Sequence, residues 1–74
     1  MFDTAKFLRA YWTDEKRLVQ FLAVYGVKPP KRMTVRAWYD RESIPTGWFA
    51  TLLILLELER GSPPSLREFW NPIT

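Results

Sequence analysis

Prolines and glycines divide this chain into segments of helix length, and this division limits the folds that are open to it. Pro29 and Pro30 lack a backbone N–H and restrict the residue before each, so no helix continues through this point. Gly26 suits the left-handed residue that follows a helix, and so does Gly61 later in the chain. Pro45 suits the first turn of a new helix. Each segment between these positions is therefore expected to form one short element.

Apolar residues recur at helical spacing in the first two segments. We predict a first helix over about residues 3–12, with Asp3 as its N-cap. A second helix is expected to begin at Thr13, the predicted cap, and to end at Gly26. Its apolar residues follow the i, i+3, i+4, i+7 pattern of one helix face: Leu18, Phe21, Leu22 and Tyr25.

Two further helices complete the predicted fold. The third runs from residue 33 or 34 to residue 42, with Thr34 as its expected cap, and the fourth from about residue 46 to residue 60. No stretch alternates apolar and polar residues well enough to predict a strand. The sequence therefore predicts an all-α fold, one compact domain of four to five helices over residues 1–74, with a short tail from about residue 62.

The fourth segment is apolar on nearly every side over residues 48–56. It could be the central core helix of a monomer or part of a subunit interface. A domain of this size covers all sides of such a helix only with difficulty, which favours a homodimer. In the tail, Ser65 and Glu68 have the spacing of a capping box. Phe69 and Trp70 could either close over the core or contact the partner subunit.

The composition excludes most enzyme mechanisms. With 0 Cys and 0 His, the chain has no thiol nucleophile, no imidazole base and no thiolate or imidazole metal site. The acidic pair Asp14 and Glu15 is explained by the dipole of the helix that it begins. We therefore predict that the protein is not an enzyme and needs no cofactor.

The sequence also predicts a cytoplasmic protein with no membrane partner. Asp3, Lys6 and Arg9 interrupt the start of the chain before the apolar stretch of a secretory signal develops. The longest apolar run, residues 48–56, is far shorter than the roughly 20 residues that span a membrane.

Positive charge is concentrated between residues 28 and 41. This segment has five basic residues against one acid, a local charge of +4, whereas the whole chain carries +3. The basic residues begin in the run 28–32, directly before the predicted third helix. They could belong to an ordinary solvated loop, but their position beside this helix favours a role in binding a partner.

The third predicted helix has an anchored side and a charged side. Val35 and Trp38 lie three residues apart on one face, while Arg36, Asp40 and Arg41 point away from it. A helix of this kind can insert side chains into a DNA major groove while neighbouring cations contact phosphates. DNA binding is therefore the first function that the sequence predicts.

The spacing of several small and apolar residues resembles the helix-turn-helix of phage repressor and Cro-type proteins. Gly26-Val27, then Val35 and Trp38, then Ile44-Pro45 six and seven residues beyond the tryptophan follow the order of that motif. The resemblance covers residues 18 to about 56. Residues 29–32 lengthen the turn relative to the motif, so the register of the first recognition residues stays open.

The resemblance implies a sequence-specific regulator of transcription that binds double-stranded DNA. Such a protein, similar to a prophage repressor, would act by occupying an operator as a homodimer on a pseudo-palindrome. Val35 and Trp38 match buried positions, and the groove-facing positions are Arg36, Ala37 and Asp40. Arg36 is expected to read a guanine through its O6 and N7 atoms.

The remaining predicted DNA contacts lie beside these groove-facing residues. Thr34 could contact a phosphate or a thymine methyl, and Tyr39 could reach a phosphate or pack against the fourth helix. Asp40 could pair with Arg36 or Arg41, which is the favoured alternative, or accept from cytosine N4. The expected phosphate contacts are Lys28, Lys31, Arg32 and Arg41, of which Lys31 and Arg32 share the uncertain register.

A protein-interaction function is the alternative to DNA binding. The apolar helix over residues 46–60 and the aromatic tail could bind a protein partner, as in an antitoxin-like adaptor. The aromatic residues considered for that surface are Trp48, Phe49, Phe69 and Trp70.

Overall fold

The computed structural model describes residues 1–70 and confirms the all-α prediction. Its elements are α1 (Thr4–Tyr11), α2 (Glu15–Val24), α3 (Arg32–Arg41), α4 (Thr46–Arg60) and a 3-10 helix over Leu66–Phe69. The β structure within residues 1–70 is a single antiparallel bridge between Phe2 and Trp70. The last four residues of the predicted tail lie outside the described range.

The first two helices begin at aspartates. Asp3 caps α1 as predicted, because its carboxylate accepts from the Lys6 N–H at 3.0 Å. The prediction of Thr13 as the cap of α2 is wrong, since Asp14 holds that position and accepts from the Arg17 N–H at 3.0 Å. A carboxylate provides the same acceptor as a hydroxyl and adds a negative charge at the positive end of the helix, so the aspartate is preferred.

Two other predicted caps are also wrong. α3 begins at Arg32, before Thr34, and has no side-chain cap. The N–H groups of Thr34 and Val35 already donate to the Lys31 carbonyl at 2.9 and 3.1 Å, so Thr34 lies inside the first turn. Ser65 makes no capping hydrogen bond either, because the chain after it forms a short 3-10 helix instead of the α-helical turn that a capping box needs.

The end of α2 follows the pattern that the glycine predicted. Gly26 is left-handed with φ of 72°, and its N–H donates to the Ala23 carbonyl at 3.0 Å. The Val27 N–H reaches back to the Leu22 carbonyl at 3.0 Å, which completes a Schellman motif. Gly61 ends α4 in the same left-handed conformation, as predicted. Glu42 ends α3 with φ of 55°, a conformation that its residue type did not predict.

The core takes buried residues from all four helices and the 3-10 helix, and an aromatic cluster within it joins three of these elements. Phe7 of α1 is fully buried, and its ring centroid lies 5.5 Å from those of Phe49 on α4 and Phe69 on the 3-10 helix. Phe69 is itself buried, so this part of the tail closes over the core, whereas Trp70 remains exposed. Aromatic pairs at this separation stabilise a fold beyond the area that they bury.

α4 contributes one side of its surface to this core. Leu52, Leu55 and Leu56 are buried, while Ile54 and Leu58 are 60% and 66% exposed in the single chain. The helix is therefore central on one face and open on another. Between residues 1 and 70 no helix is both long and apolar enough to cross a membrane.

Candidate nucleic-acid interface

The inner face of α3 is anchored to the body of the protein. Val35 and Trp38 are buried, as predicted, and the Trp38 ring centroid lies 5.8 Å from that of Trp48 on α4. The start of the helix is tied to α2, because the Arg32 guanidinium lies 3.6 Å from the Glu15 carboxylate. α3 therefore has little freedom to turn about its own axis, and its opposite face has a defined direction.

Tyr39 belongs to this inner face, which contradicts its prediction as a DNA contact. Its side chain is 7% exposed, and its hydroxyl donates to the carbonyls of Trp12 at 2.9 Å and Asp14 at 3.1 Å. The predicted alternative, packing against α4, does not describe these bonds either, since both acceptors lie in the link between α1 and α2. A buried carbonyl without a donor is costly. Tyr39 supplies a donor to the Trp12 carbonyl, whereas the Asp14 carbonyl also accepts from the Leu18 N–H at 3.3 Å.

The surroundings of Tyr39 also change its acidity. Burial is the main cause that raises its pKa above the ordinary value of 10.0, and the nearby carboxylates of Asp14 and Glu15 raise the pKa further. The charge of Arg9 opposes these effects. The hydroxyl therefore stays protonated and donating through the neutral pH range.

The outer face of α3 presents charged side chains to solvent. The side chains of Arg36 and Asp40 are 70% and 69% exposed, and Arg36 Nε lies 3.9 Å from an Asp40 oxygen. This is the surface pairing that the sequence favoured for Asp40. A pair this exposed contributes only about 0.3–0.5 kcal/mol, so a stronger ligand can replace it.

Thr34 and Arg41 lie along one flank of the same helix. Both line a shallow groove whose other wall is formed by Ser43 and Pro45, and Ala37 lies in this groove, partly buried. Thr34 and Arg41 are exposed. Eight of the nine predicted contact residues are thus exposed or partly exposed: Lys28, Lys31, Arg32, Thr34, Arg36, Ala37, Asp40 and Arg41.

Arg32 is the predicted phosphate contact that already has a partner. Its side chain is exposed, but its guanidinium pairs with Glu15, which is only partly exposed. A phosphate would have to compete with that carboxylate for the cation. Lys28 and Lys31, by contrast, are exposed residues of the turn that enters α3.

Met33 is a residue of the outer face that the sequence reasoning missed. It is 84% exposed, although it is the second residue of α3 and strongly apolar. Its spacing to Ala37 and Asp40, four and seven residues further on, places it opposite the buried pair Val35 and Trp38. That spacing was available in the sequence and could have found it.

A second surface of interest is an open apolar groove on another side of the fold. Its apolar lining comes from the N-terminal segment, the start of α4 and the 3-10 region: Phe2, Ile44, Phe49, Leu66 and Trp70. Thr4, Thr46 and Arg67 add polar atoms to it. Among residues 1–70 no group of three carboxylates could hold a metal ion.

Comparison of the chain with protein-family models, with curated proteins and with solved structures gave no significant match. The function of the outer face of α3 therefore has to be inferred from the residues on that face.

Proposed function

We propose that this protein is a sequence-specific double-stranded DNA-binding regulator of transcription, which represses by occupying its operator. The observation that carries the proposal is the two-sided character of α3. Its inner face is held by Val35, Trp38 and Tyr39, while the outer face carries an accessible guanidinium and several polar groups. A helix that is fixed on one side and polar on the other is what reading of a major groove requires.

Arg36 is the proposed base-reading residue. Its guanidinium is exposed, and its pair with Asp40 is weak, so it can form two hydrogen bonds to guanine O6 and N7. Ala37 and Asp40 border it on the outer face, and Thr34 lies on the flank that a phosphate or a base edge would meet.

The surrounding cations are the proposed phosphate contacts. Lys28 and Lys31 precede α3, and Arg41 ends it, so positive charge is present at both ends of the helix. Arg32 joins them if phosphate displaces Glu15. Each phosphate contact adds nearly one unit to the salt dependence of binding.

We also propose that the protein binds DNA as a homodimer through α4. Ile54 and Leu58 lie four residues apart on one face of this helix and are both largely exposed. A second copy could cover this apolar face and would place two copies of α3 about one DNA turn apart, on a pseudo-palindromic site. A Leu58→Glu substitution is then expected to convert a dimer to a monomer in sedimentation equilibrium, whereas Val24→Glu at a similarly exposed position of α2 is not.

Selection of duplexes from a random pool, followed by titration at two salt concentrations, tests the DNA-binding proposal. We expect an enriched half-site, and an affinity that falls with salt with a slope of up to about 7 in the logarithmic plot, because each subunit of the proposed homodimer has four phosphate contacts that contribute nearly one unit each. Lys31→Ala is expected to weaken every duplex, while Arg67→Ala, which removes a similar charge from the 3-10 helix, is the matched control. No binding near micromolar protein at low salt, or an affinity that ignores salt, would contradict the proposal.

A second candidate function is binding of a protein partner, which the open groove around Phe2, Phe49 and Trp70 favours. Of the four aromatic residues predicted for such a surface, Phe69 is buried and Trp70 is exposed, while Trp48 and Phe49 are partly buried. If Trp70→Ala abolished repression but left the affinity for DNA unchanged, this candidate would be favoured.

A further inference from the structure

Met33 is the most exposed of the large apolar side chains on α3, and none of residues 1–70 covers it. At 84% exposure it contributes almost nothing to the core. A long apolar side chain at this place is therefore not explained by folding. An explanation has to come from what the outer face of α3 contacts.

The neighbours of Met33 indicate which chemical properties a partner of this surface must have. Ala37 follows it by one helical turn on the outer face, so the two form a short apolar strip. The strip is bordered by Arg36 on one side and Thr34 on the other, and Lys31 and Arg32 precede it. An apolar strip inside a cationic surface fits a partner that is anionic overall and carries a small apolar group.

In the major groove that group is the C5-methyl of thymine. The other features of the base edges are polar donors and acceptors, which Met33 cannot satisfy. Met33 also lies in the first turn of α3, and the N-terminal end of a recognition helix is the end that contacts base edges. Its flexible, polarisable side chain can adapt to an apolar surface of this size.

We infer that Met33, backed by Ala37, contacts a thymine methyl in the DNA half-site and selects thymine at that position. The inference rests on the proposed DNA-binding function and deepens it. Because Met33 and Arg36 are three residues apart on the helix, with their Cβ atoms roughly 5–6 Å from each other, the thymine lies within about two base pairs of the guanine that Arg36 reads.

Replacement of single thymines by deoxyuridine in the selected half-site tests this contact. The change removes only the methyl group and leaves every hydrogen-bonding atom in place. One thymine is expected to matter, with a loss of about four-fold in affinity for wild-type protein, the value of one buried methyl group. Deoxyuridine at the other positions is expected to leave the affinity unchanged.

Substitution of Met33 shows whether this residue makes the contact. Met33→Ala is expected to weaken binding to the thymine duplex by a similar factor and to be indifferent to deoxyuridine, whereas Met33→Leu keeps the preference. Val24→Ala, an apolar truncation at a similarly exposed position of α2, is the matched control and should change neither affinity. Alanine is a strong helix former and Met33 is exposed, so α3 should stay intact, which circular dichroism checks.

The outcomes separate this inference from the proposal beneath it. If the protein selects a half-site and binds it in a salt-dependent way, but Met33→Ala responds to deoxyuridine as the wild type does, the thymine contact is overturned and the proposed function stands. A selected half-site with no thymine near the guanine also overturns it. If no duplex is bound, the proposed function and the inference fail together.

Discussion

The two faces of α3 are formed by the same ten residues and have opposite properties. On the inner face, Val35, Trp38 and Tyr39 are buried, and their contacts reach α4 and the link between α1 and α2. On the outer face, Met33 is 84% exposed and Arg36 is exposed and forms a weak pair with Asp40. The contacts that stabilise the fold and the proposed recognition surface thus lie on opposite sides of one helix.

Because of this difference, stabilisation of the fold and the proposed binding of DNA can be tested separately. Substitutions on the inner face should change the free energy of unfolding, and substitutions on the outer face should change the free energy of DNA binding. A side chain that changed both would show that the division between the faces is incomplete.

The largest expected effect is that of Trp38→Ala on the inner face. Removal of the indole leaves a cavity beside Trp48, and we expect a loss of about 3–5 kcal/mol in the free energy of unfolding. Urea denaturation followed by circular dichroism measures it. Met33→Ala on the outer face is the control and should stay within about 0.5 kcal/mol of the wild type. Comparable losses in the free energy of unfolding from the two variants would show that the outer face also stabilises the fold.

Tyr39→Phe is expected to cost less, because the ring remains and only the hydroxyl is lost. The buried Trp12 carbonyl then loses this donor, which is worth about 1–3 kcal/mol, while the Asp14 carbonyl keeps the Leu18 N–H. The same denaturation experiment measures this loss. Unchanged stability would mean that water replaces the hydroxyl. If stability were unchanged and the affinity for DNA fell, Tyr39 would instead be a DNA contact.

The Tyr39 hydroxyl also predicts how stability depends on alkaline pH. An unfolded tyrosine ionises near 10.0, but the pKa of Tyr39 is raised in the folded chain, so unfolding releases a proton above that pH. The free energy of unfolding should therefore fall as pH rises beyond about 10, and Tyr39→Phe should show a shallower fall. The hydrogen bond from Tyr25 to Glu59 raises the pKa of Tyr25 in the same direction, so Tyr25→Phe should also make the fall shallower, and comparison of the two variants separates the two contributions.

Arg36→Ala tests the outer face. We expect a loss of about 1–3 kcal/mol of discrimination at one base pair, because the bidentate contact to guanine disappears. The stability should change by no more than about 0.5 kcal/mol, since the pair with Asp40 is exposed. Binding to a panel of single-base variants of the half-site measures the first quantity. A uniform loss over the whole panel would instead make Arg36 a phosphate contact.

The smallest predicted effect is that of Lys31→Ala, in the turn before α3. One phosphate contact is removed from each subunit, so the salt slope of the proposed homodimer should fall by about two units and every sequence should be weakened alike. Titrations of two unrelated duplexes over a range of salt concentrations check this. A preference among sequences that changes with Lys31 would extend the base-reading surface into the turn.

Most helix boundaries were predictable because they depend on neighbouring residues. At the end of α2 the Gly26 N–H donates to the carbonyl three positions back and the Val27 N–H to the carbonyl five positions back, and Asp3 caps α1 through an N–H three positions ahead. The error at Thr13 was also local, since a threonine and an aspartate competed for one cap position. For the candidate site, the buried position of Trp38 and the exposure of Arg36 followed from helical spacing alone.

Contacts between distant parts of the chain could not be predicted in the same way. The hydroxyl of Tyr39 finds acceptors 27 and 25 residues earlier, and Phe69 meets Phe7 across nearly the whole sequence. A helical pattern shows which residues share a face, but the choice between a hydroxyl that faces DNA and one that faces a backbone carbonyl depends on where other elements pack.

Local sequence pattern was thus enough to predict four helices, the positively charged turn before α3 and the anchored face of that helix. These properties follow from backbone hydrogen bonds and side-chain spacing within a few residues. The burial of Tyr39 and Phe69 and the exposure of Met33 became known from the folded structure. Burial is a property of the packed whole, because it depends on surfaces brought together from distant parts of the chain.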